Sequence, residues 1–200
     1  NSGFCQTQTI DQVDFGLGTT TFLGGGGCFQ GGIISKGNFS EYTSTTLPET
    51  FDTDDRINAF AFESDEIGIA VSSTGRILRT TDTGETWEEV EHDFTDVHFT
   101  DVEYVGANEY KATSKWEGEG CFGILESLDN GLTWQDDWEL ATFYYPKMEA
   151  VHMNTNGDVF LGGLETNQST EGVIFEQTGG MHYFNSLSNK IKDITSRPDA

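Results

Sequence analysis

One hydrophobic pattern, repeated five times, constrains the fold of this chain more than any other feature. In each copy an apolar residue is followed by two variable residues and then by an apolar, a variable and an apolar residue. The copies begin at Ile10, Ile57, Phe99, Met148 and, in an incomplete form, Ile191, so their starts are 47, 42, 49 and 43 residues apart. This period is typical of a β-propeller, in which each blade has four short strands.

A second set of landmarks keeps the same period. Each repeat has a glycine that opens a strand-like run and an aromatic residue 10 to 12 positions later. The pairs are Gly32 and Tyr42, Gly75 and Trp87, Gly123 and Trp134, and Gly172 and Tyr183. No segment of the sequence keeps a helical apolar period with caps at both ends, so we predict an all-β chain. A sandwich or jelly roll also has short alternating strands, but it gives no reason for this period.

We therefore predict a single β-propeller domain or propeller segment over residues 1–200, built from four-stranded antiparallel blades. The predicted blades are 10–56, 57–98, 99–147 and 148–190, and residues 191–200 begin a fifth. Residues 24–27, all glycine, are interpreted as a flexible turn. Because an unfinished blade exposes a sheet edge, we expect a segment of a larger propeller or association through that edge; a closed four-bladed ring is the alternative.

Two repeats carry the same turn sequence, S/T-x-D-x-G-x-T-W. Its fixed positions are Thr80, Asp82, Gly84, Thr86 and Trp87 in the second repeat, and Ser127, Asp129, Gly131, Thr133 and Trp134 in the third. An Asp side chain accepts hydrogen bonds from N–H groups of its own turn, glycine adopts positive φ, and Trp packs between neighbouring sheets. We expect these residues to hold hairpins and to take no part in chemistry.

This turn resembles the Asp-box, or BNR, repeat of sialidases, sortilin-type receptors, xyloglucanases and the photosystem II assembly-factor family. The stretch from Ile67 to Asp82 is most similar to the last of these, and similar repeats occur in secreted bacterial proteins. The resemblance covers residues 57–140, whereas the box has decayed at residues 35–42 and 177–183. It implies a propeller whose boxes lie on the rim away from the ligand face, in a protein that is secreted, periplasmic or at the cell surface.

The charge of the chain restricts its partners. Asp and Glu number 34 against 10 Lys and Arg, which gives a formal net charge of -24. Such a surface repels nucleic acid and anionic membranes, and no apolar run is long enough for a membrane helix. We predict a protein or glycan partner, with a basic or cation-bridged one favoured, no nucleic acid and no membrane insertion. Adaptation to a saline habitat is an alternative explanation of the acidity that needs no partner.

The candidate ligand face consists of the loops that enter the innermost strands or join the second strand to the third. Its candidate residues are Asp52, Asp54, Asp55, Arg56, Trp116, Tyr144 and Tyr145. The three aromatic residues are either sugar-stacking groups or ordinary loop aromatics. The three aspartates offer the oxygen ligands that calcium prefers, although a solvated acidic turn is the alternative; no other cofactor is expected.

A sialidase needs three arginines that converge on the substrate carboxylate. Arg76 and Arg79 fall on a third strand and Arg197 follows the unfinished blade, so only Arg56 precedes an innermost strand. We therefore predict a non-catalytic, exported Asp-box propeller that is a binding or scaffold module for a protein or glycan. The alternative is part of a glycoside hydrolase, sialidase-like or xyloglucanase-like, whose catalytic residues lie partly outside this chain.

Overall fold

The computed structural model describes residues 9–15, 20–27, 31–38, 40–48, 51, 55–116, 123–137, 147–164 and 172–176. Every regular element in this described part is a β-strand, and no helix there is long and apolar enough to cross a membrane. The predictions for Asp52, Asp54, Tyr144, Tyr145, residues 177–183 and the strand at Ile191 lie outside the described residues.

Consecutive strands within each sequence repeat pair in the antiparallel sense, and one further pair, Lys115 opposite Lys147, joins the third repeat to the fourth in a single sheet. Blade 1 contains β1 (Thr9–Phe15), β2 (Thr21–Gly27), β3 (Gly31–Gly37) and β4 (Tyr42–Ser44); blade 2 contains β5 (Ile57–Phe62), β6 (Gly68–Ser72), β7 (Ile77–Thr80) and β8 (Glu88–Glu89). Blade 3 contains β9 (Val97–Gly106), β10 (Glu109–Trp116), β11 (Ile124–Ser127) and β12 (Gln135–Asp136). The described strands of blade 4 are β13 (Lys147–Met153), β14 (Val159–Leu164) and β15 (Gly172–Glu176). The prediction of four-stranded antiparallel blades is confirmed.

A β-bulge explains the uneven spacing of the repeated hydrophobic pattern. In β5, Ile57 lies opposite Ser72 and Ala59 lies opposite Val71, so Asn58 is the extra residue. The same register shift occurs at the corresponding point of β1, β9 and β13. A bulge sets two residues against one on the partner strand, which restores the apolar positions on either side of it to one face of the sheet.

Three hydrophobic clusters fill the spaces between successive blades. The cluster between blades 1 and 2 includes Phe22, Phe60 and Trp87, with the rings of Phe22 and Phe62 stacked 4.4 Å apart. The cluster between blades 2 and 3 includes Ile69, Tyr110 and Trp134, and the third, between blades 3 and 4, is built around Met148 and Leu161. Because blades 2 and 3 are packed on both faces, the core is continuous along the described blades although each blade is small.

The interpretation of residues 24–27 as a flexible turn is wrong, because they belong to strand β2. A Cβ atom on Gly24 would lie 2.6 Å from the ring of Phe60, and one on Gly26 would lie 2.7 Å from Cγ of Arg56. Real side chains do not approach so closely. The glycines therefore let blade 1 approach blade 2 closely. The run of glycines that indicated a turn is required instead by this close packing.

Candidate functional site

The innermost strands, β1, β5, β9 and β13, lie side by side and each contacts the next. The edge at which β5 and β9 begin is the described part of the predicted ligand face. There Arg56, at the entry to β5, and His98, at the start of β9, meet the turn between β6 and β7. The N–H of Ser73 donates to the carbonyl of Arg56 at 2.8 Å, and Nδ1 of His98 lies 2.5 Å from the carbonyl oxygen of Ser73. Both side chains are exposed. We call Arg56, Ser73 and His98 the central cluster.

Asp55 is buried beside this cluster, with 1% of its surface exposed. Its carboxylate accepts a hydrogen bond from the hydroxyl of Thr74 and lies 3.3 Å from Nε of Arg76. Arg76 also binds Glu89 at 2.8 Å and lies over the ring of Phe51. Asp55 is therefore part of a polar network that joins the entry of β5 to strand β7.

The calcium prediction for Asp52, Asp54 and Asp55 stays a prediction. Only Asp55 of the three is described, and its oxygens contact Thr74 and Arg76. Among the described residues, no group of three or more His, Cys, Asp or Glu side chains is placed to hold a metal ion. Trp116 lies at the end of β10 by its backbone, and its side chain is outside the described part.

Polar side chains at the bulges tie each innermost strand to the next blade. Nδ2 of Asn58 donates to the carbonyl of Phe99 at 2.6 Å, and the hydroxyl of Thr100 donates to the carbonyl of Met148 at 2.9 Å. Phe99 and Met148 hold the same place in the repeat. Asp101 continues this connection, because Oδ2 accepts a hydrogen bond from the N–H of Val151 at 2.9 Å.

Sequence reasoning did not identify these bulge residues. Their signal is the second position of the repeated hexamer, which holds Asn58, Thr100 and Glu149 in blades 2, 3 and 4. Glu149 is buried in this position and forms an ion pair with Lys115 at 2.8 Å. Polar side chains of the innermost strands therefore bond to groups of the neighbouring blade, which makes these strands a hydrogen-bonded frame. We call Asp55, Asp101 and Glu149 the central carboxylates.

The two S/T-x-D-x-G-x-T-W turns have the same hydrogen bonds. Oδ1 of Asp82 accepts from the hydroxyl of Thr80 at 2.8 Å and from the N–H of Thr86 at 3.0 Å, and Oδ2 accepts from the hydroxyl of Thr86 at 2.6 Å. Asp129 accepts the same three bonds within its own turn, from Ser127 at 2.9 Å and from Thr133 at 2.8 and 2.6 Å. Burial raises the pKa of both carboxyls, but the bonds from Thr86 and Thr133 outweigh it and lower both pKa values.

Each of these turns also contacts the preceding blade. Thr83 and Asn130, which precede the turn glycines, have φ angles of 63°. Nζ of Lys36 in blade 1 donates to the carbonyl of Thr83 in blade 2 at 3.0 Å, and Nε of Arg79 in blade 2 donates to the carbonyl of Asn130 in blade 3 at 2.8 Å. We call this the cation contact. It was not predicted, because its partners lie 47 and 51 residues apart.

Blade 3 lacks the cation at the corresponding position. Lys36 pairs with Phe22 across the sheet and Arg79 pairs with Ile69, whereas the equivalent pair in blade 3 is Glu126 and Lys111. Lys111 is 1% exposed, and its Nζ lies 3.0 Å from Glu109, 3.2 Å from Glu126 and 2.7 Å from Asp137. Burial alone lowers the pKa of a lysine, but the hydrogen bond and charge of Asp137 lead a set of carboxylates that raise the pKa of Lys111 to about 12.

Comparison with solved structures decides the architecture. YCF48 bound to D1 peptide superposes with a TM-score of 0.67 at 18% identity, over 91% of this chain and 56% of that one. YCF48 from Cyanidioschyzon merolae gives a TM-score of 0.55 at 14% identity, over 80% and 49% of the two chains. The GH74 xyloglucanase from Xanthomonas campestris gives 0.57 at 11% identity, over 84% and 29%. The chain has a β-propeller fold.

The chain spans about half the length of the YCF48 structures that it resembles. Neither a protein-family model nor a curated protein sequence matches it. Within the propeller, the central cluster lies where the innermost strands begin, and the two turns of Asp82 and Asp129 lie at the opposite ends of β7 and β11 from the β6–β7 and β10–β11 connections. The predicted ligand face and the predicted structural turns are therefore on opposite edges of the blades.

Proposed function

We propose that this propeller is a non-catalytic binding module that holds a protein partner at the edge where its innermost strands begin. The central cluster supplies the exposed contacts, and the hydrogen-bonded frame below it supplies rigidity. A preorganised surface loses little conformational entropy when it binds, which favours recognition of an extended segment.

The charge of the surface is the observation that carries this proposal. In the described part, the exposed charged side chains comprise one base, Arg56, and a set of acids. The acids are Glu41, Asp65, Glu66, Glu85, Glu88, Glu91, Asp93 and Asp96. A surface of this sign attracts a basic partner and accelerates its association, and it repels polyanions.

The bonding of the central carboxylates favours binding over acid–base catalysis. Asp55 contacts Arg76, Asp101 accepts the N–H of Val151, and Glu149 pairs with Lys115. A general acid or base must exchange its proton with a substrate, and these contacts compete with that exchange. One of the two YCF48 structures is bound to D1 peptide, which supports a peptide as the partner, whereas the likeness to a xyloglucanase supports the hydrolase alternative.

Calorimetric titration with synthetic peptides of positive, zero and negative charge tests the proposal. We expect binding of the basic peptides only, weakened by salt, and carbodiimide crosslinks from peptide lysines to Asp96 at the central edge. Arg56→Ala removes the one exposed base of the described part from the binding edge and should strengthen binding of the basic peptides, whereas Asn156→Ala, in a turn of blade 4, should leave it unchanged. Release of reducing sugar from xyloglucan would support the hydrolase alternative, and absence of peptide binding would overturn the proposal.

We also propose an exported location, which the resemblance of the turns to repeats of secreted bacterial proteins supports. Immunoblotting of cytoplasmic and exported fractions tests this. Recovery of the protein in the cytoplasmic fraction alone would overturn it.

A further inference from the structure

Two adjoining grooves lie along the outer side of the junction between blades 2 and 3. The larger has a volume of about 450 Å³ and is lined by Glu91, Asp93 and Phe94 from blade 2 and by Trp134 and Asp136 from blade 3. The smaller, about 300 Å³, shares Glu91 and extends past Glu88 and Leu132. The larger groove is lined by both residues of β12, and the smaller by both residues of β8. We call the two together the outer groove.

Most carboxylates of the outer groove are not neutralised by the described residues; Glu89 of the smaller groove is paired with Arg76, and Arg79 also lines that groove. Glu88, Glu91, Asp93 and Asp136 form no hydrogen bond or ion pair through their side chains within that part of the chain, in contrast to the central carboxylates. Burial raises the pKa of Asp136, because water is withdrawn from its carboxylate with no compensating partner. A cation placed in the groove would relieve this cost.

The other walls of the groove suit an organic cation. The half-buried ring of Phe94 lines the groove together with the edge of Trp134, which is 9% exposed, and Leu132 is one of the few exposed large hydrophobic residues in the described part, with 58% of its surface exposed. Aromatic rings attract ammonium and guanidinium groups, and the aliphatic stems of Lys and Arg pack on apolar surface. No described set of ligands is placed to hold a metal ion, which favours a side-chain cation over a metal.

The strands at the groove also suit an extended backbone. In the described part, β8 pairs only with β7 and β12 pairs only with β11, so one side of each two-residue strand is open, although Thr46 of blade 1 bridges to Thr86 immediately before β8. An extended segment adds to such an edge through main-chain hydrogen bonds, while alternate side chains reach the neighbouring pockets.

From these observations we propose that the outer groove docks an extended protein segment through its Lys or Arg side chains. The ammonium or guanidinium groups pair with Glu91 and Asp136, and the side-chain stems pack on Phe94 and Trp134. This surface is separate from the central cluster, so the proposal holds or fails independently of the proposed function.

Fluorescence anisotropy with a labelled peptide of alternating lysine and alanine tests the docking. Glu91→Gln/Asp136→Asn should raise the Kd about tenfold, since it removes two groove carboxylates. The matched control Glu41→Gln/Asp65→Asn removes the same charge from exposed sites outside the groove and should raise the Kd less than about twofold. Phe94→Leu should weaken binding about threefold through loss of the ring contact. Unchanged melting temperatures establish that the variants are folded.

Equal weakening by the groove pair and the control pair would overturn the proposal, because the peptide would then respond only to total charge. Spermine carries ammonium groups without a peptide backbone and should compete weakly; competition as strong as that of unlabelled peptide would overturn docking of a protein segment. Carbodiimide crosslinks at Glu91 and Asp136, rather than at Asp96, distinguish this site from the central edge.

Discussion

The junctions on either side of blade 2 differ from the junction between blades 3 and 4. On each side of blade 2, an apolar side chain of the earlier blade packs on a turn glycine of the later one: Phe22 on Gly84, and Ile69 on Gly131. A neighbouring cation binds the carbonyl next to that glycine. In blade 3 these two positions hold Lys111 and Glu126, which form a buried ionic cluster.

This contrast shows that the turn sequence of one repeat is matched by the side chain that the preceding repeat presents at their junction. The Lys or Arg that forms the cation contact binds a carbonyl of the S/T-x-D-x-G-x-T-W turn in the next blade, and blades 2 and 3 carry that turn. Blade 4 lacks that sequence, and blade 3 correspondingly presents an acid where blades 1 and 2 present a cation. A propeller junction is therefore a property of two repeats together, since the turn of one is satisfied by a side chain of the other.

Removing Lys111 from the buried ionic cluster of blade 3 should have the strongest effect on stability. Lys111→Met leaves Glu126 and Asp137 without their buried counter-charge and should lower the free energy of unfolding by about 3–5 kcal/mol. Urea denaturation followed by tryptophan fluorescence measures this loss. Lys111→Ile/Glu126→Met/Asp137→Val replaces the three charged groups with apolar side chains, as blade 2 has at the first and third of these positions, and should recover most of it, because well-packed apolar groups often replace buried ion clusters at little cost. If the triple variant is no more stable than Lys111→Met, the two kinds of junction are not interchangeable.

The same cluster gives a pH dependence of known sign. The pKa of Lys111 is raised from 10.5 to about 12, so its stabilisation is fully present below 10.5 and is lost as the pH rises through about 12. Denaturation midpoints of the wild-type chain should fall over this window more steeply than those of Lys111→Met. Parallel curves for the two proteins would contradict the assignment.

A somewhat smaller effect is expected at the turn glycine. Gly131 has a φ of +77°, and a Cβ there would lie 2.3 Å from Ile69. Gly131→Ala should cost about 2–4 kcal/mol, the sum of a strained backbone and an overpacked contact. Gly157→Ala is the matched control, because Gly157 has a φ of +86° and no atom near the added Cβ. It should cost only the backbone contribution of about 1–2 kcal/mol. Equal thermal shifts would mean that the contact with Ile69 contributes nothing.

The cation contact should have a smaller effect again. Arg79→Met keeps most of the apolar stem and removes the donor to Asn130, so we expect a loss of about 1–2 kcal/mol. Lys36→Met removes the equivalent donor to Thr83, and it also removes an ion pair to the exposed Glu85, which contributes little. The two losses should agree closely in chemical denaturation. A cost for only one of them would show that the two junctions are not equivalent.

The weakest of these effects is that of the turn carboxylate. Asp129→Asn keeps one oxygen acceptor and removes the charge, so it should cost about 1 kcal/mol at neutral pH. The pKa of Asp129 is lowered in the folded state, so its stabilisation is present above the ordinary value of 3.8 and is lost as the pH falls through the lower folded pKa. The stability difference between the wild-type chain and Asp129→Asn should therefore shrink in acid. A difference that stays constant to the lowest pH would contradict a role for ionised Asp129.

Much of the fold was predictable because its signals are local. The spacing of apolar residues from Ile57 to Phe62 indicated a strand with one face against a neighbouring blade, although the bulge at Asn58 was not foreseen. The glycines of β2 were misread, because a requirement for close packing and a requirement for a turn select the same residue. Asp55 belonged to an acidic run in the sequence, and its contact with Arg76 is what makes burial of its carboxylate tolerable.

The blade period, the strands and the two hairpin turns follow from the amino-acid sequence alone. Those features depend on residues within a few positions of one another, where alternation and turn chemistry act directly. The choice of polar side chains that join the blades, as against those that remain at the surface, depends on the tertiary structure. Arg79 meets Asn130, and Thr100 meets Met148, across 51 and 48 residues of chain. Lysine is a residue type that is usually exposed, but Lys111 is buried. Its burial is set by the surrounding blades and not by its own side-chain type.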